Sequence, residues 1–233
     1  MDQNLKHHRK AVPAASATEA DHSPNRQHQK SRRAREEICE AAIASLVELG
    51  YARTSIGQVV ARTSLSKGAL QHHFPTKEDL ITATADYLLQ RSLVRTASDN
   101  PDYQELEAIS QILLRTWTHL INTDAYRALL EILNAARTDE QLKARISPRL
   151  RHWNQAIDRQ MVAQFESTVA DDDDVVVLML MNRSLMRGLV IQDRYQDDPA
   201  SSMKVVLRWI EIVAPLLKLR GRQTSTLSAK HIE

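Results

Sequence analysis

Residues 54–80 read TSIGQVVARTSLSKGALQHHFPTKEDL, and the fold turns on this stretch. Ile56, Val59 and Val60 recur on one face of a short helix running from Ile56 to about Thr63. A tight turn, Ser64-Leu65-Ser66, follows. Ser66 is placed to cap a second short helix, Lys67 to about Phe74, with Leu65, Leu70 and Phe74 pointing inward. Pro75 ends that helix, and Thr76 opens a longer one. Two short helices joined across a three-residue turn form a helix-turn-helix.

The outward side of the second helix suits DNA. Lys67, Gly68 and Ala69 let the backbone come close to another surface. Such a helix fits the major groove with its N-terminal residues near base edges. Lys67 reads as a phosphate clamp or a guanine reader, and Gln71 can pair with adenine. His72 and His73 can donate to phosphates, and Lys77 stands at the next helix start, where free N–H groups also favour phosphate. The plainer alternative is an α-hairpin whose polar residues face water.

On both sides of this stretch the spacing is helical, from about Ser31 to about Leu219. Asn100-Pro101, Ser147-Pro148 and Asp198-Pro199 each read as a polar cap followed by proline at the first helical position. Thr138 to Gln141 reads as a capping box, and Thr76 to Asp79 as a looser one. Asp171 to Asp174 precede an apolar helix, where they cap it or hold a divalent cation. Apolar stripes run through Ile109, Leu113, Trp117 and Leu120, and through Leu150, Trp153, Ile157 and Met161. A third, of Met203, Val206, Leu207, Ile210 and Leu217, is interrupted by Pro215, which kinks or ends its helix. About nine helices and an all-α fold are expected. The expected divisions are a polar, disordered tail over 1–30, the helix-turn-helix domain over 31–78, a helical domain over 79–220 and a loose tail over 221–233.

Composition removes other classes. Only 5 of 233 residues are glycine, about 2% against a usual share near 7%. There is no Asn-Gly, Asp-Gly or Gly-Gly pair, so the tight turns of a sandwich or barrel lack their residues. The longest apolar run, Val175 to Met181, is seven residues, against about 20 for a membrane span. The N-terminal residues have no apolar core of the signal-peptide kind. The single cysteine, Cys39, excludes an internal disulfide and a Cys-x-x-Cys pair, and sits where it packs. A reducing cytoplasm fits. The net charge of +2 is uneven: residues 1–35 carry 8 Lys/Arg against 3 Asp/Glu. The basic arm Lys30 to Arg35 reaches phosphates or the minor groove, or is a solvated tail.

The segment from Arg33 to about Leu89 resembles the N-terminal domain of the TetR/AcrR family of bacterial transcriptional regulators. The resemblance rests on Glu48-Leu49-Gly50-Tyr51, Thr54-Ser55-Ile56, Ser66-Lys67-Gly68-Ala69-Leu70, His73-Phe74 and Lys77-Glu78-Asp79-Leu80, in that order and spacing. It implies that Thr54, Ser55, Ser66, Lys67, Gly68, Ala69, Gln71, His72, His73 and Lys77 face DNA. Two positions depart from the pattern. Ser64 stands where glycine is usual, and a positive φ there would cost about 1 kcal/mol. Gln71 replaces an aromatic residue that commonly touches phosphate, so it reads a base or faces solvent.

The resemblance also implies a cytoplasmic, nucleoid-associated homodimer on a near-palindromic operator, released by a small apolar ligand. The paired helices would be about Asp174 to Arg194 and Pro199 to Leu217, with Gly188 permitting close crossing. Val175 to Met181 is apolar all round and needs cover, from a second copy or from within the monomer. Trp117, His119, Tyr126, Trp153, Met179 and Met186 are the candidate ligand contacts, each equally readable as core or surface. No cofactor or metal is expected. An enzyme is disfavoured, since Gly-x-Ser-x-Gly, His-Glu-x-x-His, the P-loop and Gly-x-Gly-x-x-Gly are all missing. The remaining competitor is a helical interaction protein with a non-functional DNA head, motivated by Ser64 and Gln71.

Overall fold

Pro24 lacks an N–H that the first turn of a helix would leave unpaired anyway, and a helix (α1, Pro24–Arg53) begins there, about two turns ahead of Ser31. The computed structural model describes residues 24–97, 105–198 and 200–221. Gly50 breaks the end of α1 with φ +75° and ψ 169°, a conformation open essentially to glycine alone. The break turns the chain into α2 (Ile56–Val60), α3 (Lys67–His73) and α4 (Lys77–Ala97). The link between α2 and α3 is longer than the three residues expected, because α2 ends at Val60 and its last turns tighten. Arg62 N–H donates to the Val59 carbonyl and Thr63 N–H to that of Val60, each at 3.0 Å.

The second region follows as α5 (Glu105–Arg115), α6 (Asp124–Ala136), α7 (Glu140–Gln164), α8 (Asp172–Gln192) and α9 (Ser201–Val213). The fold is all-α, with nine α-helices among the described residues. Two hydrophobic clusters divide it. The smaller joins Ile38, Cys39, Ala42, Val59, Leu70, Phe74 and Leu80 from α1 to α4 and the α3 cap. The larger joins Leu46, Ile81, Leu88, Ile109, Trp117, Ile132, Trp153, Met186 and Val206, among others. Half-buried Tyr87 of α4 packs against both.

The caps came out unevenly. Thr76 and Asp79 are reciprocal: the Asp79 amide donates to Thr76 Oγ1 at 3.1 Å, and the Thr76 amide donates to Asp79 Oδ2 at 3.2 Å. The expected box at Thr138 is shifted by one. Asp139 is the cap of α7 and accepts from the Gln141 and Leu142 amides at 3.0 Å each, a carboxylate being the stronger acceptor at the positive end of a helix. Ser147-Pro148 does not start a helix, because α7 runs through it. Pro148 and Ala144, whose carbonyl loses its partner, both lie on the exposed side, where water can serve the orphaned group. Asp198 accepts from the Ala200 amide at 2.9 Å ahead of α9, while Pro199 lies outside the described residues, as does Asn100-Pro101. At the start of α8, Ser167 Oγ donates to Asp174 Oδ2 at 2.6 Å, and Arg220 pairs with Asp172.

Two features, a π-helix and a strand pair, have no counterpart in the expected pattern, while Pro215 ends its helix as its place in the stripe implies. Thr116–Ile121 form a π-helix that continues α5, where Thr116 and Thr118 hydroxyls donate to the Ile112 and Leu114 carbonyls and compete with the backbone. Pro215 stops α9 in a short 3-10 turn, Ala214–Leu216. The chain then runs as a strand (β2, Leu217–Leu219) against β1 (Phe165–Ser167), antiparallel, with Phe165 opposite Leu219. Leu207, assigned to an inward stripe, is instead exposed.

Candidate functional site

The outer face of α3 is built on a locked base. Ser66 caps the helix by accepting from the Ala69 amide at 3.2 Å. Leu70 and Phe74 are buried beneath, and the Arg35 guanidinium lies over the Phe74 ring at 5.1 Å. The turn ahead of α3 is tied to α1 by one carboxylate: Glu37 Oε1 accepts from the Ser64 amide at 2.7 Å and from its hydroxyl at 2.8 Å. Those two bonds hold the Glu37 carboxyl below its usual range. Ser64 therefore carries no strain of the expected kind, since no non-glycine residue among those described has a positive φ. A glycine there would forfeit the hydroxyl bond.

What this base presents is narrow. Lys67, Gly68, Gln71 and His72 are exposed, Ala69 is half-exposed, and a Cβ on Gly68 would meet nothing within 4 Å. Among the described residues no carboxylate pairs with Lys67. His73 is half-buried; burial first, then His72 and Arg35, lower its pKa from 6.5, so at neutral pH it offers at most one ring N–H. Ser55 is exposed but caps α2, accepting from the Gln58 amide at 3.3 Å.

Two expected contacts sit elsewhere. Thr54 is buried, and its hydroxyl donates to the Gly50 carbonyl at 2.9 Å beside Ser45, so its side chain does not reach a surface. Lys77 Nζ donates to the Tyr51 carbonyl at 2.7 Å and lies 4.3 Å over the Tyr51 ring. Burial lowers its pKa, and the ammonium fastens α4 to the end of α1 instead of standing free for phosphate. Arg32, in the basic arm, pairs with Glu36 at 3.4 Å along α1.

A cavity of about 260 Å³ lies in the second region between α4, the α5–π-helix segment, α6, α7 and α8. Four of the six candidate contacts line it: His119, Tyr126, Trp153 and Met179. Trp117 and Met186 do not; both are fully buried core. The lining also includes Arg91, Arg115, Asn182 and Arg183, which the apolar periodicity passed over. Arg183 Nη2 pairs with Asp158 at 3.0 Å, while its Nη1 is buried with no hydrogen-bond partner. Trp153 Nε1 donates to Ser92 Oγ at 2.7 Å.

One carboxylate connects this cavity to α1. Glu40 Oε1 accepts from Arg91 Nη1 and from the Tyr87 hydroxyl, both at 2.6 Å. Burial, and then the bond to Glu40, push the Tyr87 phenol up to about 12, so it remains a donor at neutral pH. Arg91 thus touches the cavity and α1 at once.

Comparison with known proteins points to one family. The model of the bacterial regulatory proteins of the tetR family matches residues 38–84, which span the second half of α1 through the first turns of α4. The HTH-type transcriptional regulator CymR of Pseudomonas putida is 25% identical over 192 residues, covering 82% of this chain and 95% of that protein. Over residues 38–84 the chain matches the TetR family, and over most of its length it is similar to HTH-type transcriptional regulators. It is a DNA-binding transcriptional regulator and not an enzyme. The same fold recurs in a TetR regulator from Haloarcula marismortui, with a TM-score of 0.58, 23% identity, 80% of this chain and 98% of that one. It recurs also in a regulator from Saccharomonospora viridis solved in complex with choline, with a TM-score of 0.59, 17% identity and 80% and 98% coverage. Among the described residues, no helix is long and apolar enough to cross a membrane.

Proposed function

We propose that this TetR-family regulator is a homodimeric repressor that holds a near-palindromic operator through α3 and leaves it when a small, mostly apolar ligand enters the cavity. The division we assign is a DNA-binding head over residues 31–78 and a ligand-binding and dimerisation body over 79–220, working in the bacterial cytoplasm at the nucleoid. The observation that carries the reading is the outward face of α3. Lys67, Gly68 and Gln71 stand exposed on a rigid, capped helix, with no carboxylate paired to the lysine among the described residues. Polyanionic DNA offers that face its partner.

Dimerisation is supported by an apolar stripe. Val177, Leu180, Met181 and Ile191 of α8 are exposed and recur at helical spacing with Ser184 and Gly188. Val205 and Ile212 of α9 are exposed beside them around a shallow groove. A Cβ on Gly188 would meet nothing within 4 Å, which leaves room for a partner helix. A two-fold axis through this face would set two α3 helices about one DNA turn apart. Release is supported by Arg91, because a ligand that engages it draws on the guanidinium that holds Glu40 of α1.

Fluorescence anisotropy with DNA flanking the regulator's own gene tests the reading. A saturable complex is expected, weakening steeply with salt. Lys67→Ala should weaken it several-fold and lower the salt slope by about one, with the melting temperature unchanged. Leu180→Glu should convert a dimer to a monomer in sedimentation. No preference for any duplex over random competitor would defeat the proposal.

A further inference from the structure

We infer that the cavity selects a small organic acid, bound as its carboxylate at Arg183, with the rest of the molecule apolar. The inference rests on the reading of this cavity as the effector site and adds the effector's chemical class. Its first support is charge. Among the described residues, the ionisable groups on the cavity wall are Arg91, Arg115, His119, Tyr126 and Arg183, and no aspartate or glutamate lines it.

The second support is an incomplete ion pair. Asp158 of α7 satisfies Nη2 of Arg183, but Nη1 of the same guanidinium is enclosed without an acceptor. A guanidinium carries five donors in a planar fork that matches a carboxylate. A buried cationic donor left unpaired is costly, so the site gains when an anionic oxygen completes it. Such an acceptor needs a negative charge, since Asp158 already shares Arg183 and a neutral carbonyl would compete poorly.

The third support is the remaining wall. Leu88, Ile112, Leu129, Ile157 and Met179 are apolar, and Trp153 has its N–H committed to Ser92. The volume of about 260 Å³ lies just below the range of drug-sized sites, about 300–1,000 Å³. It suits a fused ring pair or a medium-length acyl chain. A quaternary ammonium such as choline, present in the Saccharomonospora viridis relative, would meet the arginines of this wall with like charge.

The test uses the full chain and three charge types on one scaffold: 2-naphthoate, 2-naphthamide and 2-naphthylmethylammonium, with octanoate and octanamide as an acyl pair. Binding is read by calorimetry and by quenching of tryptophan fluorescence. The acids should bind at least tenfold more tightly than the amides, and the amine not at all. Arg183→Met with Asp158→Asn, which removes the pair without stranding a charge, should bring acid and amide to equal affinity at an unchanged melting temperature. Arg183→Met alone should give the same levelling if it folds. An amide or amine that binds as tightly as the acid, or an acid preference that survives the double variant, overturns the inference and leaves the cavity a ligand site. Binding of none of the five overturns the inference together with the cavity's role as effector site.

Discussion

The head and the body are held together in different proportions. In the head, a small apolar cluster around Leu70 and Phe74 is supplemented by polar ties: Glu37 to Ser64, Thr76 to Asp79, and Ser66 to the Ala69 amide. In the body, a large continuous cluster does most of the holding, and all three tryptophans, Trp117, Trp153 and Trp209, belong to it or pack against it. The difference teaches where each region spends its surface. A short helix that keeps one face exposed can bury only the other, so its position depends on a few buried anchors and exact turn bonds. A body that must enclose a cavity can leave that space unfilled because many neighbouring contacts remain.

The largest expected effect tests whether the two clusters melt separately. Phe74→Ala should cost about 3–5 kcal/mol, confined to the head. Helix content by circular dichroism should then fall at a lower temperature than tryptophan fluorescence, which reports the body alone. Coincident, equally shifted transitions would show the two clusters to be one cooperative unit.

The next effect lies between the regions. Gly50→Ala places a Cβ at φ +75°, 3.4 Å from Glu131 Oε2, and should cost about 1–3 kcal/mol in urea unfolding. A neutral result would mean that the head–body seam relaxes freely.

A smaller effect belongs to the head's polar ties. Ser64 holds the Glu37 carboxyl below its ordinary value of 4.5, so the stabilisation is present above that value and is lost as pH falls through the folded-state pKa. Glu37→Gln should therefore be less stable than wild type at pH 7, with the gap narrowing as the pH drops below 4.5. A gap that stays constant with pH would remove Glu37 from the set of ties.

The smallest effect is a silence. Burial pushes the Cys39 thiol up to about 11, so it stays protonated and inaccessible at neutral pH. Alkylation by iodoacetamide should be undetectable in the native protein and appear only with unfolding. Prompt labelling would place the head cluster in a loosened state.

The legible part of this molecule was local. The caps and apolar spacing between Ser55 and Asp79 are decided within a few residues, and they placed α2, α3 and the start of α4. The illegible part depended on groups far apart in the chain. Lys77 reads as a phosphate ligand until the Tyr51 carbonyl, 26 residues back, is seen to hold it. Thr54 reads as a contact residue until the Gly50 break turns its hydroxyl inward. Arg183 and Asp158 carry no periodic signal, because a charged pair on facing helices is set by packing between α7 and α8. The β1–β2 pair escaped because two three-residue segments 52 positions apart have no strand pattern of their own.

The bond from the Tyr51 amide to Glu131 Oε2, 3.3 Å long, joins the last residues of α1 to α6 across 80 positions of sequence. Anyone wishing to graft a foreign operator preference onto this protein by transplanting a relative's first three helices would leave the two partners of that bond in segments of different origin. The donor's glycine bend would then arrive facing a carboxylate chosen for a different amide. A working chimera has to carry position 131 along with the transplant, so the unit of exchange is not a contiguous piece of chain.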